Sequence, residues 1–129
     1  MSMVYLNGSI LAESEAKVSV NDRGFLYGHS VFETMPVYNY RVFRLDEHLE
    51  RLERSARKAL IELPPLEALR AAVLMTVRVN LLQAGGLRLT VSAGVGGAGL
   101  LPTPAPEPTV VVSVRAPREL DEARREGID

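Results

Sequence analysis

Residues 21–33 read Asn-Asp-Arg-Gly-Phe-Leu-Tyr-Gly-His-Ser-Val-Phe-Glu, and the change of pattern within this stretch decides the fold. Its first half is a breaker-rich loop: Asp22 captures local backbone donors, and Gly24 marks a turn. Gly28 lets the backbone bend or approach another segment closely. From Val31 the chain reads V-F-E-T-M-P-V-Y, rich in β-branched and aromatic residues, so Val31–Tyr38 is expected to be a strand. Alternation then puts Val31 and Glu33 on one face, with Phe32 and Thr34 on the other. A carboxylate beside an aromatic at a loop–strand boundary suits the wall of a pocket. The plainer alternative makes Phe32 core and Glu33 a surface charge.

Upstream, Val4-Tyr5-Leu6 and Ser9-Ile10-Leu11 flank Asn7-Gly8. That pair supplies the positive-φ residues of a two-residue hairpin turn. Downstream, Asn39-Tyr40 turns the strand back into Arg41-Val42-Phe43. Leu45–Leu60 is the best helix, with Leu45, Leu49, Leu52, Ala56, Ala59 and Leu60 forming one apolar stripe. Glu47–Arg51, Glu50–Arg54 and Glu53–Arg57 are acid-to-base pairs four residues apart, which favour a helix. His48, Arg51 and Ser55 share the polar flank beside the stripe. From there Arg51 can reach a ligand between helix and sheet, or serve only as an exposed ion-pair partner.

Pro64-Pro65 ends this helix and suits the start of the next. Leu66, Leu69, Val73, Val77 and Leu81 define the second helix, Leu66–Leu82, which Gly85-Gly86 is expected to close. Leu87–Ala93 alternates as a strand, with Arg88, Thr90 and Ser92 on its polar side. A Gly/Pro-rich loop from Gly94 to Pro108 is long enough to be a functional loop. Thr109–Val114 reads as a buried strand, and a short helix is expected over Glu119–Arg125. Strands and helices do not alternate. The fold class is therefore α+β, a mostly antiparallel sheet with two helices packed on one face.

Several chemistries fall away. Gly94-Val95-Gly96-Gly97-Ala98-Gly99 fits the dinucleotide-binding spacing, but the prolines at 102, 104, 106 and 108 leave no helix to open at the glycines. Without cysteine there is no thiol nucleophile and no thiolate metal site. His29 and His48, the only histidines, make no metal motif, so no metal is expected. Lys17 and Lys58 are the only lysines; neither shows the desolvated setting of a nucleophile, and the cationic neighbour Arg57 gives Lys58 only a faint case. A formal net charge of -1 gives no reason to expect a nucleic-acid or membrane partner. No apolar run reaches the ~18 residues of a membrane-spanning helix. A length of 129 residues suits one domain.

D-R-G-F-L-Y-G-H-S-V-F-E-T at 22–34 and V-F-R-L-D-E-H-L-E-R-L-E-R-S-A at 42–56, with L-R-L-T-V-S-A-G at 87–94, resemble one family. It is the class IV, fold-type IV, pyridoxal-phosphate enzymes, which include branched-chain and D-amino-acid aminotransferases and 4-amino-4-deoxychorismate lyases. The similarity is to their N-terminal domain and covers nearly the whole chain. It implies that Arg51 binds the phosphate of pyridoxal 5'-phosphate, where a guanidinium fork suits phosphate oxygens. It implies further that Phe32 walls the substrate pocket, that Tyr27 enters a pocket across a subunit boundary, and that Arg88 lies near the substrate carboxylate. Ala98 and Leu100 match loop residues at the dimer interface.

D-amino-acid aminotransferases have an arginine where this chain has Ala93, which weakens that reading. Family members carry the cofactor-holding lysine in a second domain, which neither Lys17 nor Lys58 matches. The expectation is that residues 1–129 are the N-terminal small domain, with no catalytic residue of their own and no turnover alone. The expected whole is a cytoplasmic, homodimeric aminotransferase acting on a branched-chain amino acid and its keto acid. The alternatives are a lyase-like enzyme, or a non-catalytic binding or dimerisation module that kept the fold.

Overall fold

The computed structural model describes residues 2–96 and 107–116. Asn7-Gly8 closes the first hairpin, joining β1 (Met3–Leu6) to β2 (Ser9–Ala12), with φ of 48° and 95° at the two turn residues. The same turn is fastened to β6 (Thr109–Arg115): Asn7 N–H donates to the Val110 carbonyl at 3.0 Å, and Val110 N–H donates to Asn7 Oδ1 at 2.8 Å. A second two-residue turn, Asn39-Tyr40, with φ of 53° and 63°, joins β3 (Ser30–Tyr38) to β4 (Arg41–Val42). With β5 (Gly85–Ser92), these strands form one six-stranded sheet in the order β2-β1-β6-β5-β3-β4, every pairing antiparallel.

Two long helices cover one face, as expected. α2 (Leu45–Ala59) buries Leu49, Leu52 and Ala56, and α3 (Leu66–Val79) buries Leu69, Ala72, Val73 and Val77. They meet Val31, Met35 and Val37 of β3, Leu87, Leu89 and Val91 of β5, and Val110 and Val112 of β6 in one core. Full burial of side chains this size contributes about 1.5–3 kcal/mol each. The odd-numbered residues Val31, Met35 and Val37 of β3 all face this core.

The ends of the helices differ from expectation. Leu60 and Leu81 are not on the apolar stripes; they are exposed, with φ of 58° and 49°. Each lies where the chain leaves its helix, so the backbone turns the side chain outward. α3 stops at Val79 because Asn80 Nδ2 donates to the Thr76 carbonyl at 2.8 Å and, across the fold, to the Met3 carbonyl at 2.9 Å. Gly85-Gly86 therefore opens β5 rather than closing the helix. Gly85 lets the Arg115 carbonyl approach to where a Cβ would meet it at 2.1 Å.

Arg23–Tyr27, expected as loop, is a short helix α1, capped by Asp22 Oδ1, which accepts from Gly24 N–H at 2.8 Å. Of the three acid-to-base pairs expected on α2, only Glu53–Arg57 closes among the described residues, at 3.7 Å. Glu47 turns instead to Arg44, and Arg51 turns to the sheet. The helix expected at Glu119–Arg125, and Ala98 and Leu100 in the loop, lie outside the described residues.

At the outer edge of the sheet β4 covers only Val37 and Tyr38, and Phe43 N–H adds one bond to the Pro36 carbonyl at 2.9 Å. From Ser30 to Met35 that edge of β3 has no strand beside it among the described residues.

Candidate functional site

Glu33 faces the core with Val31 and Met35, as alternation requires, and only 5% of it is exposed. The alternative that made it a surface charge is wrong, and so is its companion: Phe32 is 51% exposed. A carboxylate so placed needs partners, and α2 supplies two. His48 Nδ1 donates to Glu33 Oε1 at 2.6 Å. Arg51 grips the carboxylate from one side, Nε donating to Oε2 at 2.9 Å and Nη2 to Oε1 at 2.7 Å. The spacing of three residues puts His48 and Arg51 on one flank of the helix, directly over β3.

Burial alone would push the Glu33 carboxyl upward, but the hydrogen bonds from Arg51 and His48 and their charges outweigh it, and it lies below its ordinary 4.5. The hydrogen bond to Glu33, with its charge, in turn raises Arg51. Both groups are thus ionised at neutral pH. A guanidinium carries five N–H donors. Glu33 occupies one on Nε and one on Nη2, which leaves both on Nη1 and the second on Nη2. The free edge belongs to a side chain that is 60% exposed. Arg51 also lines a groove of about 290 Å³ with Arg44, Glu47, His48 and Arg54, a predominantly cationic surface. Three N–H groups not taken by Glu33, on an arginine that lines such a groove, suit a fork for oxyanions.

The neighbouring residue serves the other face. Phe32 stands on the open side of the sheet, and Arg88, two strand positions from its partner Thr90, lays its guanidinium 4.0 Å above the ring. Arg88 Nε donates to Thr90 Oγ1 at 3.3 Å. A cation over a ring face is attracted by the π-electron quadrupole, and among the described residues no carboxylate pairs with it. Phe32 and Arg88 are thus brought together, whereas Arg51 lies on the helix side of the same strand.

Tyr27 ends α1, half exposed, with the Arg23 guanidinium 4.8 Å over its ring. Arg23 is itself buried, at 1% exposure. The helix is held in place by Asp22, whose Oδ2 accepts from the Thr109 hydroxyl at 2.6 Å, and by Arg23 N–H, which donates to the Gly94 carbonyl at 2.8 Å. Gly24 packs where a Cβ would meet Ser92 Cβ at 2.7 Å. Gly94, with φ of 82°, lets the Glu107 carbonyl come so near that a Cβ would meet it at 1.8 Å. The glycine that begins the dinucleotide-like spacing thus serves backbone packing; Val95 behind it bridges to Asp22.

Sequence reasoning missed Glu33, His48, Asp22 and Thr90 as residues that hold the site. For Glu33 and His48 the signal was present: strand alternation and helix spacing aim them at each other. Thr90 was visible only as polar, and Asp22 only as a turn. Lys17 and Lys58 are both exposed. His29 is occupied in donating from Nε2 to the Ala59 carbonyl at 2.6 Å. Among the described residues no group of three or more side chains is arranged to hold a metal ion, and no helix is long and apolar enough to cross a membrane.

Residues 30–128 match the family model described as amino-transferase class IV. A Methanocaldococcus jannaschii protein, named provisionally as a branched-chain-amino-acid aminotransferase, is 45% identical over 108 residues, covering 83% of this chain and 38% of that protein. A D-alanine aminotransferase of Staphylococcus aureus is 35% identical over 118 residues, 90% of this chain and 42% of its own length. Among solved structures, the branched-chain amino acid aminotransferase of Escherichia coli superposes with a TM-score of 0.82 at 28% identity, over 89% of this chain and 40% of that one. The chain thus spans about two-fifths of the length of the relatives it matches.

Proposed function

The chain belongs to the class IV amino-transferase family, and from that premise we propose that it supplies the N-terminal part of the site of a pyridoxal-phosphate-dependent aminotransferase. Its substrate in this reading is a branched-chain amino acid and the corresponding keto acid. The observation that carries the reading is Arg51, clamped along one edge by Glu33 and lining the cationic groove. The Methanocaldococcus jannaschii and Escherichia coli relatives, both named for branched-chain amino acids, support the substrate class. Ala93 stands where the D-amino-acid enzymes have arginine, which favours the branched-chain reading over that of the Staphylococcus aureus relative.

The residues fit the cofactor's phosphate but not its anchoring. Pyridoxal phosphate, when bound, supplies the electron sink for bond cleavage at the amino acid's α-carbon. Arg51 holds the phosphate. Phe32 forms an apolar wall, and Arg88, stacked on it with its charge unspent, attracts a substrate carboxylate. Tyr27 closes the pocket from across a subunit boundary in a homodimer, a role consistent with the exposure of Phe25, Leu26 and Tyr27 in succession. Residues 1–129 form the N-terminal small domain in this reading, and the lysine that anchors the cofactor lies outside them. The enzyme acts in the cytoplasm. A Bacillus subtilis aminodeoxychorismate lyase, 36% identical over 87% of this chain, keeps a lyase-like activity as the second reading.

The test is direct. Pyridoxal phosphate is added to the 129-residue chain, the absorption spectrum is recorded, and borohydride reduction is followed by mapping of labelled lysines. Slight, scattered labelling is expected, with Arg51→Ala weakening binding by roughly tenfold to a hundredfold, the range for loss of charge-assisted hydrogen bonds. Stoichiometric labelling of Lys17 or Lys58 with transamination would overturn the domain assignment.

A further inference from the structure

The phosphate reading leaves open why a buried carboxylate sits against the very arginine meant to bind an anion. Resting on that reading, we propose that Glu33 is a positioning residue: fixed by His48, it grips the Nε–Nη2 edge of Arg51 and turns the Nη1 edge toward a phosphate ester.

Two geometries were open to such a pair. If Glu33 met Arg51 through the two terminal nitrogens, it would occupy the edge a phosphate needs, and the two anions would compete. Here it meets Arg51 through Nε and Nη2, at 2.9 and 2.7 Å, so the remaining donors make no hydrogen bond among the described residues. Arg51 is 60% exposed and extends on a long flexible stem. Unclamped, it would lose rotamer freedom on meeting a ligand; clamped, that loss is already met in folding.

Glu33 cannot itself swing away. It is 5% exposed, sits on a strand paired on its inner side to β5, and is held at Oε1 by His48, which is 16% exposed. The carboxylate does lower the net charge at Arg51. The surrounding groove offsets this through Arg44 and Arg54. Arg44 is shared with Glu47, whereas Arg54 makes no ion pair among the described residues.

Binding of pyridoxal phosphate to the 129-residue chain is measured by calorimetry for the parent, Arg51→Ala, Glu33→Gln and the double variant, with thermal unfolding as a check of fold. Glu33→Gln keeps the shape and loses the charged grip. It is expected to raise Kd by about tenfold, the lower end of what removing an orienting outer-shell partner costs. The double variant should bind no worse than Arg51→Ala alone, because Glu33 acts only through Arg51.

If Glu33→Gln binds as well as the parent or better while Arg51→Ala is impaired, Glu33 is a competitor and the proposal falls, leaving the phosphate reading intact. If Arg51→Ala binds normally, the phosphate reading falls and takes this proposal with it. Arginine side-chain NMR on the parent guards against a variant that fails to fold. The Arg51 Nε–H resonance should stay protected when pyridoxal phosphate is added, with the change confined to the Nη groups; loss of the Nε–H signal on addition would mean that phosphate displaces Glu33, and would overturn the proposal.

Discussion

Phe32 and Glu33 are neighbours in one strand, yet each holds an arginine on an opposite face of the sheet, by opposite means. On the open face, Arg88 rests on a π-cloud and keeps its full charge. On the helix face, Arg51 is locked by a buried carboxylate, which offsets much of its field in exchange for a fixed direction. The contrast separates two properties that a binding arginine needs. Stacking preserves attraction while allowing the guanidinium to slide; an ion pair through Nε fixes the orientation while weakening the long-range pull. The first suits a carboxylate on substrates of varying shape, the second a phosphate that must return to one place.

The largest test of the contrast is packing. Leu89, the register partner of Glu33, is fully buried on the helix face, whereas its neighbour Thr90 is half-buried on the other. Leu89→Ala should cost about 2–5 kcal/mol in urea unfolding, and Thr90→Ala within about 0.5 kcal/mol. Comparable losses would mean the faces are not as different as described.

Acid distinguishes the two arginine clamps next. Glu33 is held below its ordinary 4.5 in the folded chain. Its contribution to stability is therefore fully present above that value and is lost as pH falls through the lower, folded one. Glu33→Gln should be less stable than the parent at neutral pH, and the gap should close on acidification. Phe32→Leu should show the same stability deficit at both ends, since no titrating group is removed. A Glu33→Gln gap that holds steady with pH would refute the ion pair as a source of stability.

Smaller still, Phe32→Leu should cost only about 0.5–1 kcal/mol, the range for an exposed cation–π contact. Its signature should be broadened Arg88 side-chain NMR signals. At the bottom of the scale, Glu53→Gln removes a surface pair on α2 and should change stability by about 0.3–0.5 kcal/mol at most.

Most of the architecture could be read from the residues, because it rests on local patterns. The Asn7-Gly8 turn, the alternation of β3 and the stripes of α2 and α3 each follow from a few neighbouring side chains. Alternation puts Glu33 on one face with Val31 but leaves open the alternative of Phe32 in the core and Glu33 at the surface; only the burial of Val31, Met35 and Val37 decides which face is the core. What stayed hidden depends on distant contacts or on backbone angles that side chains do not announce. Asn80 ends α3 by reaching Met3, 77 positions away. Leu60 and Leu81 adopt positive φ although neither is glycine. α1, at five residues, is too short to show a helical period. Arg51, Phe32 and Arg88 could be named from resemblance, but their separation onto two faces could not.

The free edge of β3 has a consequence for how genes of this kind can change length. Because odd and even residues of the strand serve different faces, one inserted codon between Ser30 and Phe32 would shift the alternation downstream. Glu33 would be presented to the open side and Phe32 to the core. Two inserted codons would restore the alternation. On the inner side β5 holds the register at eight successive positions. The unpaired outer edge, by contrast, leaves room for a bulge to absorb a single extra residue. Insertions tolerated in this strand should therefore come in pairs, or else carry the mark of a bulge upstream of Phe32.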